Sequence, residues 1–232
     1  MSRKKKRSRG NPANQVWRDG STLGDAIMQW AVDAMFAAKG DPDRVAIFGA
    51  IAGWVGFGNP GKLGLGQCIQ ATYQLRLVLE AIGVESRMVP VTVRALDSSS
   101  GHVLAGIGSP RPEFAEGFSR WTGHVVLYLP GQGRIIDPTI GQAFSNRTKP
   151  WQMPLVGRVA QASTSVDADT PGAMWLVRRD HYTAEYTVLD PQYNPLAHDQ
   201  LIEGLSSITQ RLRDRLPAIV QRLRDLQRAV SP

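Results

Sequence analysis

The chain has 232 residues, of which 42% are hydrophobic, with a single cysteine and a net charge of +7. This length can bury the core of one sizeable domain without disulfides, and one cysteine excludes an intrachain disulfide framework and a cysteine-rich zinc site. No apolar run approaches the roughly 18 residues that a membrane span requires, and no apolar segment of a signal peptide follows the charged N-terminus. We therefore expect a soluble, cytoplasmic protein that needs no metal and no other cofactor.

The positive charge is concentrated at the two ends of the chain. Of the 27 lysines and arginines, six lie in 3–9 and six in 211–228, which leaves a mildly acidic body. Residues 1–20 are expected to form a disordered basic tail that attracts nucleic acid only non-specifically, in a salt-dependent way. Specific nucleic-acid recognition is not expected, because interleaved aromatic residues and a known reading module are absent from the sequence.

The first third of the chain predicts three helices. Apolar residues at spacings of three and four indicate a capped amphipathic helix over 21–39, and an apolar segment over 45–55 indicates a second. A loop with five glycines over 56–66 leads into a third, largely buried helix over 68–82, which Gly83 ends as a C-terminal cap.

The middle of the chain predicts strands. Alternating β-branched residues indicate a strand over 88–96, and Pro90 places it at a sheet edge or beside a bulge. Residues 97–120 are interpreted as an inserted loop or a short hairpin. Segments 121–129 and 134–137 flank a proline-glycine turn and predict a β-hairpin.

The last third combines an irregular segment, one strand and a long helix. Residues 141–180 lack a clear pattern and are interpreted as a lid or binding loop, and 182–189 alternate as a strand. Residues 196–232 carry a regular apolar stripe flanked by arginines, which predicts a helix that packs against the body or a partner chain, including a second copy. Pro217 is expected to kink or divide this helix. The preceding domain would span 21–195, with its core over 56–140.

Cys68 stands where the glycine-rich loop becomes a helix. Unpaired backbone N–H groups and the helix dipole at that point favour a thiolate, although a buried structural cysteine is the plain alternative. His124 begins the first strand of the predicted hairpin and Asp137 ends the second. The three residues could therefore supply a nucleophile, a base and an orienting carboxylate.

Two registers of the hairpin bring His124 and Asp137 within reach of each other. With Pro130-Gly131 as the loop, His124 lies directly opposite Asp137. With Gly131-Gln132 as the loop, His124 faces Thr139, and Asp137 is a diagonal neighbour on the same face. Such positions are about 5–8 Å apart, so either register permits a hydrogen bond between the two side chains.

These features together resemble the core of the transglutaminase-like superfamily, a papain-related group of peptidases, amidases and acyltransferases with bacterial members. The resemblance covers about 68–140: a helix that opens with Gly-Gln-Cys68, a strand, the run Gly-His124-Val-Val, a turn, and Ile-Ile-Asp137-Pro-Thr. It implies an α+β, papain-like domain in which the cysteine helix packs on an antiparallel sheet. It also implies a Cys68 thiolate that attacks an amide or ester carbonyl, with His124 as the base and Asp137 holding the imidazole.

The same resemblance implies an oxyanion hole that includes the backbone N–H of Cys68. Gln67, Trp30 and Trp54 are the candidates for a second donor. Transglutaminases proper have tryptophan after the cysteine, where this chain has Ile69, and an acidic calcium loop is not recognisable, which argues against a calcium-activated crosslinking enzyme.

His102 is the rival base, because it also follows a glycine and precedes apolar residues. It has no hairpin partner that ends in aspartate, so His124 is favoured, and His181 and His198 are interpreted as ordinary loop or surface histidines. The predicted function is a cysteine peptidase or amidase that hydrolyses a peptide or isopeptide bond in a peptide or protein substrate. The alternatives are acyl transfer to an amine, or a non-enzymatic adaptor that binds a partner or nucleic acid.

Overall fold

The computed structural model describes residues 23–57, 67–114, 121–144, 153–161 and 170–230. The fold is α+β, as expected, with α-helices packed on an antiparallel sheet. Several predicted features lie outside the described residues: the basic tail 1–20, the cap at Ser21 and Thr22, most of the loop 56–66, and parts of 97–120 and 141–180.

The predicted helices are all present. They are α1 (Leu23–Ala37), α2 (Pro42–Phe57), α3 (Cys68–Ala81) and α4 (Asp199–Val230). The end of α3 follows from Gly83, whose φ of +81° is a left-handed conformation that glycine adopts without strain. None of the helices in the described ranges is both long and apolar enough to cross a membrane.

The sheet has antiparallel pairs throughout. Its strands are β1 (Arg87–Asp97), β2 (Val103–Ile107), β3 (His124–Leu129), β4 (Arg134–Asp137), β5 (Leu155–Arg158), β6 (Ala160–Gln161), β7 (Met174–Arg179) and β8 (Tyr182–Val188). The order is β5-β4-β3-β1-β8-β7-β6, and β2 pairs with the far end of β1. Gly157 of β5 lies directly against Val177 of β7, so the sheet curls until its two ends approach each other.

The curled sheet divides the core into two parts. Inward side chains such as Val91, Val126 and Tyr186 fill the inside of the curl. Alternate residues of the same strands, including Val125 and Leu127, face outward and pack under the helices. The period of two along each strand therefore separates an inner core from a helix-covered core.

Three expectations about the elements are corrected, two of them only in part. β1 is a central strand, because β3 and β2 pair with one side of it and β8 with the other. Pro90 is tolerated in this central strand because its carbonyl accepts from the N–H of Leu189, which lies just after the last residue of β8. The N–H that proline lacks would face the same side, past the end of β8. The other alternative, a strand with a bulge, is confirmed, and the bulge lies at Ala95 and Leu96.

The segment 141–180 is not one irregular lid. Its described part holds β5, β6 and β7, whose short lengths and Gly157 concealed the strand pattern. The third correction concerns α4, which continues through Pro217 as one helix, so Pro217 does not divide it. The buried side chains of α4 belong to the same core as those of α2 and α3, so this helix packs against the body.

We expect Leu212→Ala to lower the free energy of unfolding by about 2–5 kcal/mol, because Leu212 is only 2% exposed and its removal leaves a cavity under α4. Arg215→Ala, on the exposed face of the same helix, should change it by no more than about 0.5 kcal/mol. Urea denaturation of both variants measures the difference. Equal effects of the two substitutions would contradict the packing of α4 on the body.

Candidate active site

Cys68 is the first residue of α3 and is 3% exposed. Gln67 precedes it with φ −100° and ψ 10°, and the Gln67 side chain forms no capping hydrogen bond to the helix. In the first hydrogen bond of the helix, the N–H of Ala71 donates to the carbonyl of Gln67. The N–H groups of the first turn, that of Cys68 included, therefore lack intrahelical acceptors and point toward the space before the helix.

His124 and Asp137 adopt the second of the two registers. Leu129 pairs with Arg134 and Leu127 with Ile136, which puts His124 opposite Thr139 and makes Asp137 its diagonal neighbour. The expected hydrogen bond is present: Nε2 of His124 lies 2.8 Å from Oδ2 of Asp137. Both side chains are fully buried on the inner face of the sheet.

Two further residues fix the carboxylate of Asp137. The backbone N–H of Thr139 donates to Oδ1 at 3.0 Å and its hydroxyl at 3.5 Å, and the hydroxyl of Tyr186 donates to Oδ2 at 3.2 Å. The sequence analysis missed Tyr186. The alternation of 182–189 marks a strand there, but no local signal shows that this tyrosine reaches a residue 49 positions earlier.

The sulfur of Cys68 approaches the start of β3. Its Sγ lies 3.9 Å from the carbonyl oxygen of Gly123, the residue immediately before His124. Within the described residues, Nδ1 of His124 is buried and makes no hydrogen bond of ordinary geometry. The charge of Cys68 nevertheless acts on the imidazole, so the sulfur lies near the ring. The ring therefore has the carboxylate of Asp137 bonded to Nε2 and the sulfur of Cys68 nearby.

The electrostatics favour a charged imidazole. Burial by itself lowers the pKa of His124, but the charge and hydrogen bond of Asp137, together with Cys68, outweigh it and raise the pKa to about 10. The charged imidazole and the carboxylate of Asp137 thus form a buried ion pair, with the sulfur of Cys68 near the ring.

Gly108 provides the close packing behind His124. It has a φ of +83°, and a Cβ at this position would lie 2.9 Å from the carbonyl oxygen of Val91 and 3.1 Å from Cβ of His124. Any larger residue would have to displace the imidazole or the backbone of β1. The turn after β2 is therefore part of what holds His124 in place.

The other candidate histidines lie elsewhere. His102 is exposed in the turn between β1 and β2, and His181 is exposed in the turn between β7 and β8. His198 packs edge-on against Phe114, with ring centroids 4.8 Å apart. None of the contacts described for these three histidines involves Cys68 or Asp137.

The three proposed oxyanion donors have different surroundings. The indole N–H of Trp54 donates to Oε1 of Gln74 at 3.0 Å within the helical core, so it cannot serve an oxyanion while that bond is formed. This corrects the expectation for Trp54. Trp30 packs edge-on against Phe48 and under the guanidinium of Arg179. Gln67 is half-buried and directly precedes Cys68.

No group of three His, Cys, Asp or Glu side chains within the described ranges is arranged to hold a metal ion. Comparisons with protein-family models, with curated proteins and with solved structures found no significant match to this chain. The arrangement of Cys68, His124 and Asp137 is therefore the observation from which a function is inferred.

We expect Gly108→Ala to slow the alkylation of Cys68 by iodoacetamide, because the added methyl group presses on His124. Gly101→Ala is the matched control, since Gly101 also has a positive φ, +71°, but a Cβ there meets nothing within 4 Å. Both variants carry backbone strain of about 1–3 kcal/mol, so they differ in the contacts that the added methyl group makes with His124 and with the carbonyl of Val91. Equal alkylation rates in the two variants would show that Gly108 does not position the imidazole.

We also expect the raised pKa of His124 to make folding stability depend on pH. A group whose pKa rises on folding stabilises the native state fully below its unfolded value, about 6.5, and loses that contribution as the pH passes about 10. The advantage of the wild type over His124→Gln in urea denaturation should therefore shrink between pH 6.5 and 10. An advantage that stays constant over this interval would mean that the histidine is neutral in the folded protein.

Proposed function

We propose that this protein is a cysteine hydrolase of the peptidase or amidase type, with Cys68 as nucleophile, His124 as general base and acid, and Asp137 as the orienting group. The observation that carries the proposal is the fully buried hydrogen bond between His124 and Asp137 beside the sulfur of Cys68. The transglutaminase-like, papain-related core expected from the sequence is part of the same proposal. A reduced thiol suits a reducing compartment such as the cytoplasm.

The burial of charge distinguishes this interpretation from a structural cysteine. A cysteine that only fills space needs no polar partner, whereas a buried imidazole and carboxylate lose their hydration and contribute little net stability. Hydrophobic residues of similar volume would pack the same inner face at lower cost. The retention of the pair next to the only thiol therefore favours a chemical role.

The reaction begins when the sulfur of Cys68 attacks the carbonyl carbon of an amide. The oxyanion that forms accepts hydrogen bonds from the N–H of Cys68 and from the side chain of Gln67. His124 gives its Nδ1 proton to the leaving nitrogen, the C–N bond breaks, and an acyl thioester remains on Cys68.

Hydrolysis of the thioester completes the cycle. Water attacks the thioester carbon while Nδ1 of His124 takes a proton from it, and the C–S bond breaks to release the acid. Asp137 remains ionised throughout and keeps Nε2 of the ring protonated, so that Nδ1 is the nitrogen that exchanges the proton. Nε2 thus stays bonded to Asp137 throughout, while Nδ1 carries the proton that is transferred.

Acyl transfer to an amine is the second candidate function. Cys68 is 3% exposed and His124 is fully buried, and a site that limits water favours an amine as the group that resolves the thioester. The residues and the first half of the reaction are the same in both functions. The product released from the acyl-enzyme distinguishes the two functions, because hydrolysis releases an acid and transfer to an amine releases an amide.

The proposal is tested by intact-protein mass spectrometry with p-nitrophenyl acetate, a small activated ester. The wild type should gain one acetyl group on Cys68, because an activated thiolate attacks the ester and the thioester persists long enough to be measured. Cys68→Ala should keep the fold and gain none. Added glycinamide then separates acyl transfer from hydrolysis.

His102→Ala is the control for the choice of base, and it should acylate like the wild type, whereas His124→Ala should acylate at least roughly 10²-fold more slowly. The reverse pattern would reassign the base to His102. If Cys68 in the wild type reacts no faster than a free thiol, the chain is the non-enzymatic adaptor instead.

A further inference from the structure

We propose that Tyr186 is a positioning residue that sets how firmly Asp137 holds the imidazolium of His124, so that four residues act together in this site. The inference rests on the proposed function. Its basis is that the Tyr186 hydroxyl and Nε2 of His124 share one carboxylate oxygen, at 3.2 Å and 2.8 Å from Oδ2.

The contact between Tyr186 and Asp137 depends on the curl of the sheet. β8, which carries Tyr186, and β4, which carries Asp137, are separated by β3 and β1 in the strand order. The hydroxyl thus crosses the inside of the curl to reach the carboxylate, while the N–H of Thr139 holds the other oxygen at 3.0 Å. With a donor on each oxygen in addition to His124, the carboxylate cannot rotate away from the imidazole.

The hydroxyl of Tyr186 stays a donor at every working pH. The side chain is fully buried, and its ring packs beside that of Trp175 with centroids 6.5 Å apart. Burial first, and then the negative charge of Asp137, raise the pKa of Tyr186 well above its usual value. Tyr186 therefore adds no ionisation of its own and acts through the proton that it shares with Asp137.

A second donor on Oδ2 weakens the hold of the carboxylate on the imidazolium. Part of the negative charge is engaged by the O–H dipole, so less of it stabilises the charged ring, and His124 gives up its Nδ1 proton more readily. Without that hydroxyl, the imidazolium should be held more tightly and be a poorer acid toward the leaving group.

Other titratable groups lie near Tyr186 and Asp137, and one of them, Tyr182, provides a control variant. Cys68 approaches from α3, and Tyr182 and Arg179 lie further along the inside of β8 and β7. Tyr182 is 1% exposed and lies on the same face of β8 as Tyr186, but the hydrogen bonds described for Asp137 do not include its hydroxyl. Tyr182→Phe thus removes a buried hydroxyl from the same strand without touching Asp137.

The test follows the titration of the His124 imidazole by nuclear magnetic resonance, with Cys68 acylation by p-nitrophenyl acetate as a check that the site is intact. Tyr186→Phe should move the His124 titration to higher pH by about half a unit or more, whereas acylation by this ester does not report the acid role of His124, because p-nitrophenolate leaves without a proton. Tyr182→Phe should leave the His124 titration where it is in the wild type.

Replacement of Tyr186 by 3-fluorotyrosine makes the hydroxyl a stronger donor and keeps its shape. It should move the His124 titration in the opposite direction, to lower pH, which a purely structural role for the ring would not do. This variant also tests the role of the Tyr186 hydroxyl if Tyr186→Phe does not fold.

An unchanged His124 titration in the 3-fluorotyrosine protein, or the same shift in Tyr182→Phe as in Tyr186→Phe, would overturn the role of Tyr186. Failure of the wild type to acylate would overturn the proposed function instead. The His124 titration would still report the effect of Tyr186 on the imidazole in that case. The two failures are therefore distinguishable.

Discussion

The hydrogen bond from the Thr72 hydroxyl to the backbone carbonyl of Val125, 3.2 Å long and buried, links α3 to β3. Thr72 lies one helical turn beyond Cys68, and Val125 is the residue after His124. The bond therefore sets the height of the helix along the strand at the point where the two proposed reactive groups meet. A slide of one helical turn, about 5.4 Å, would carry the sulfur out of reach of the imidazole.

Two more polar contacts hold α3 from its other sides. Gln74 accepts from the indole of Trp54 on α2, and Tyr73 accepts from Arg213 on α4. Three successive residues of α3 thus face three different elements. Apolar packing alone is non-directional, whereas these hydrogen bonds specify rotation as well as position. The long C-terminal helix contributes to the site in this indirect way, because it fixes the helix on which Cys68 stands.

The sequence was most informative where the interactions are local. The helices follow from a 3.6-residue period and a glycine cap, and the approach of His124 to Asp137 follows from a single hairpin. Pairing between strands that are distant along the chain gives no comparable local pattern in the sequence. Nothing near Pro90 shows that β1 lies in the middle of the sheet, and β5 and β6 are too short for alternation to stand out. Tyr186 was missed for the same reason, since its partner depends on the strand order. The chemical roles of Cys68, His124 and Asp137 stay predictions that rest on this geometry.

The separations along the chain of the groups that meet at Asp137 imply an order of assembly. His124 and Asp137 are 13 residues apart, so their contact closes a short loop at little entropic cost. Gly123, which the sulfur approaches, is 55 residues from Cys68, and Tyr186 is 49 residues from Asp137. Contacts of that range form late, when the sheet has curled and α3 has docked. The contact between His124 and Asp137 can therefore form in a partly folded chain, whereas the sulfur of Cys68 reaches this pair only in the finished protein. Until its last long-range contacts close, a newly made chain would have the histidine–aspartate pair without the cysteine beside it.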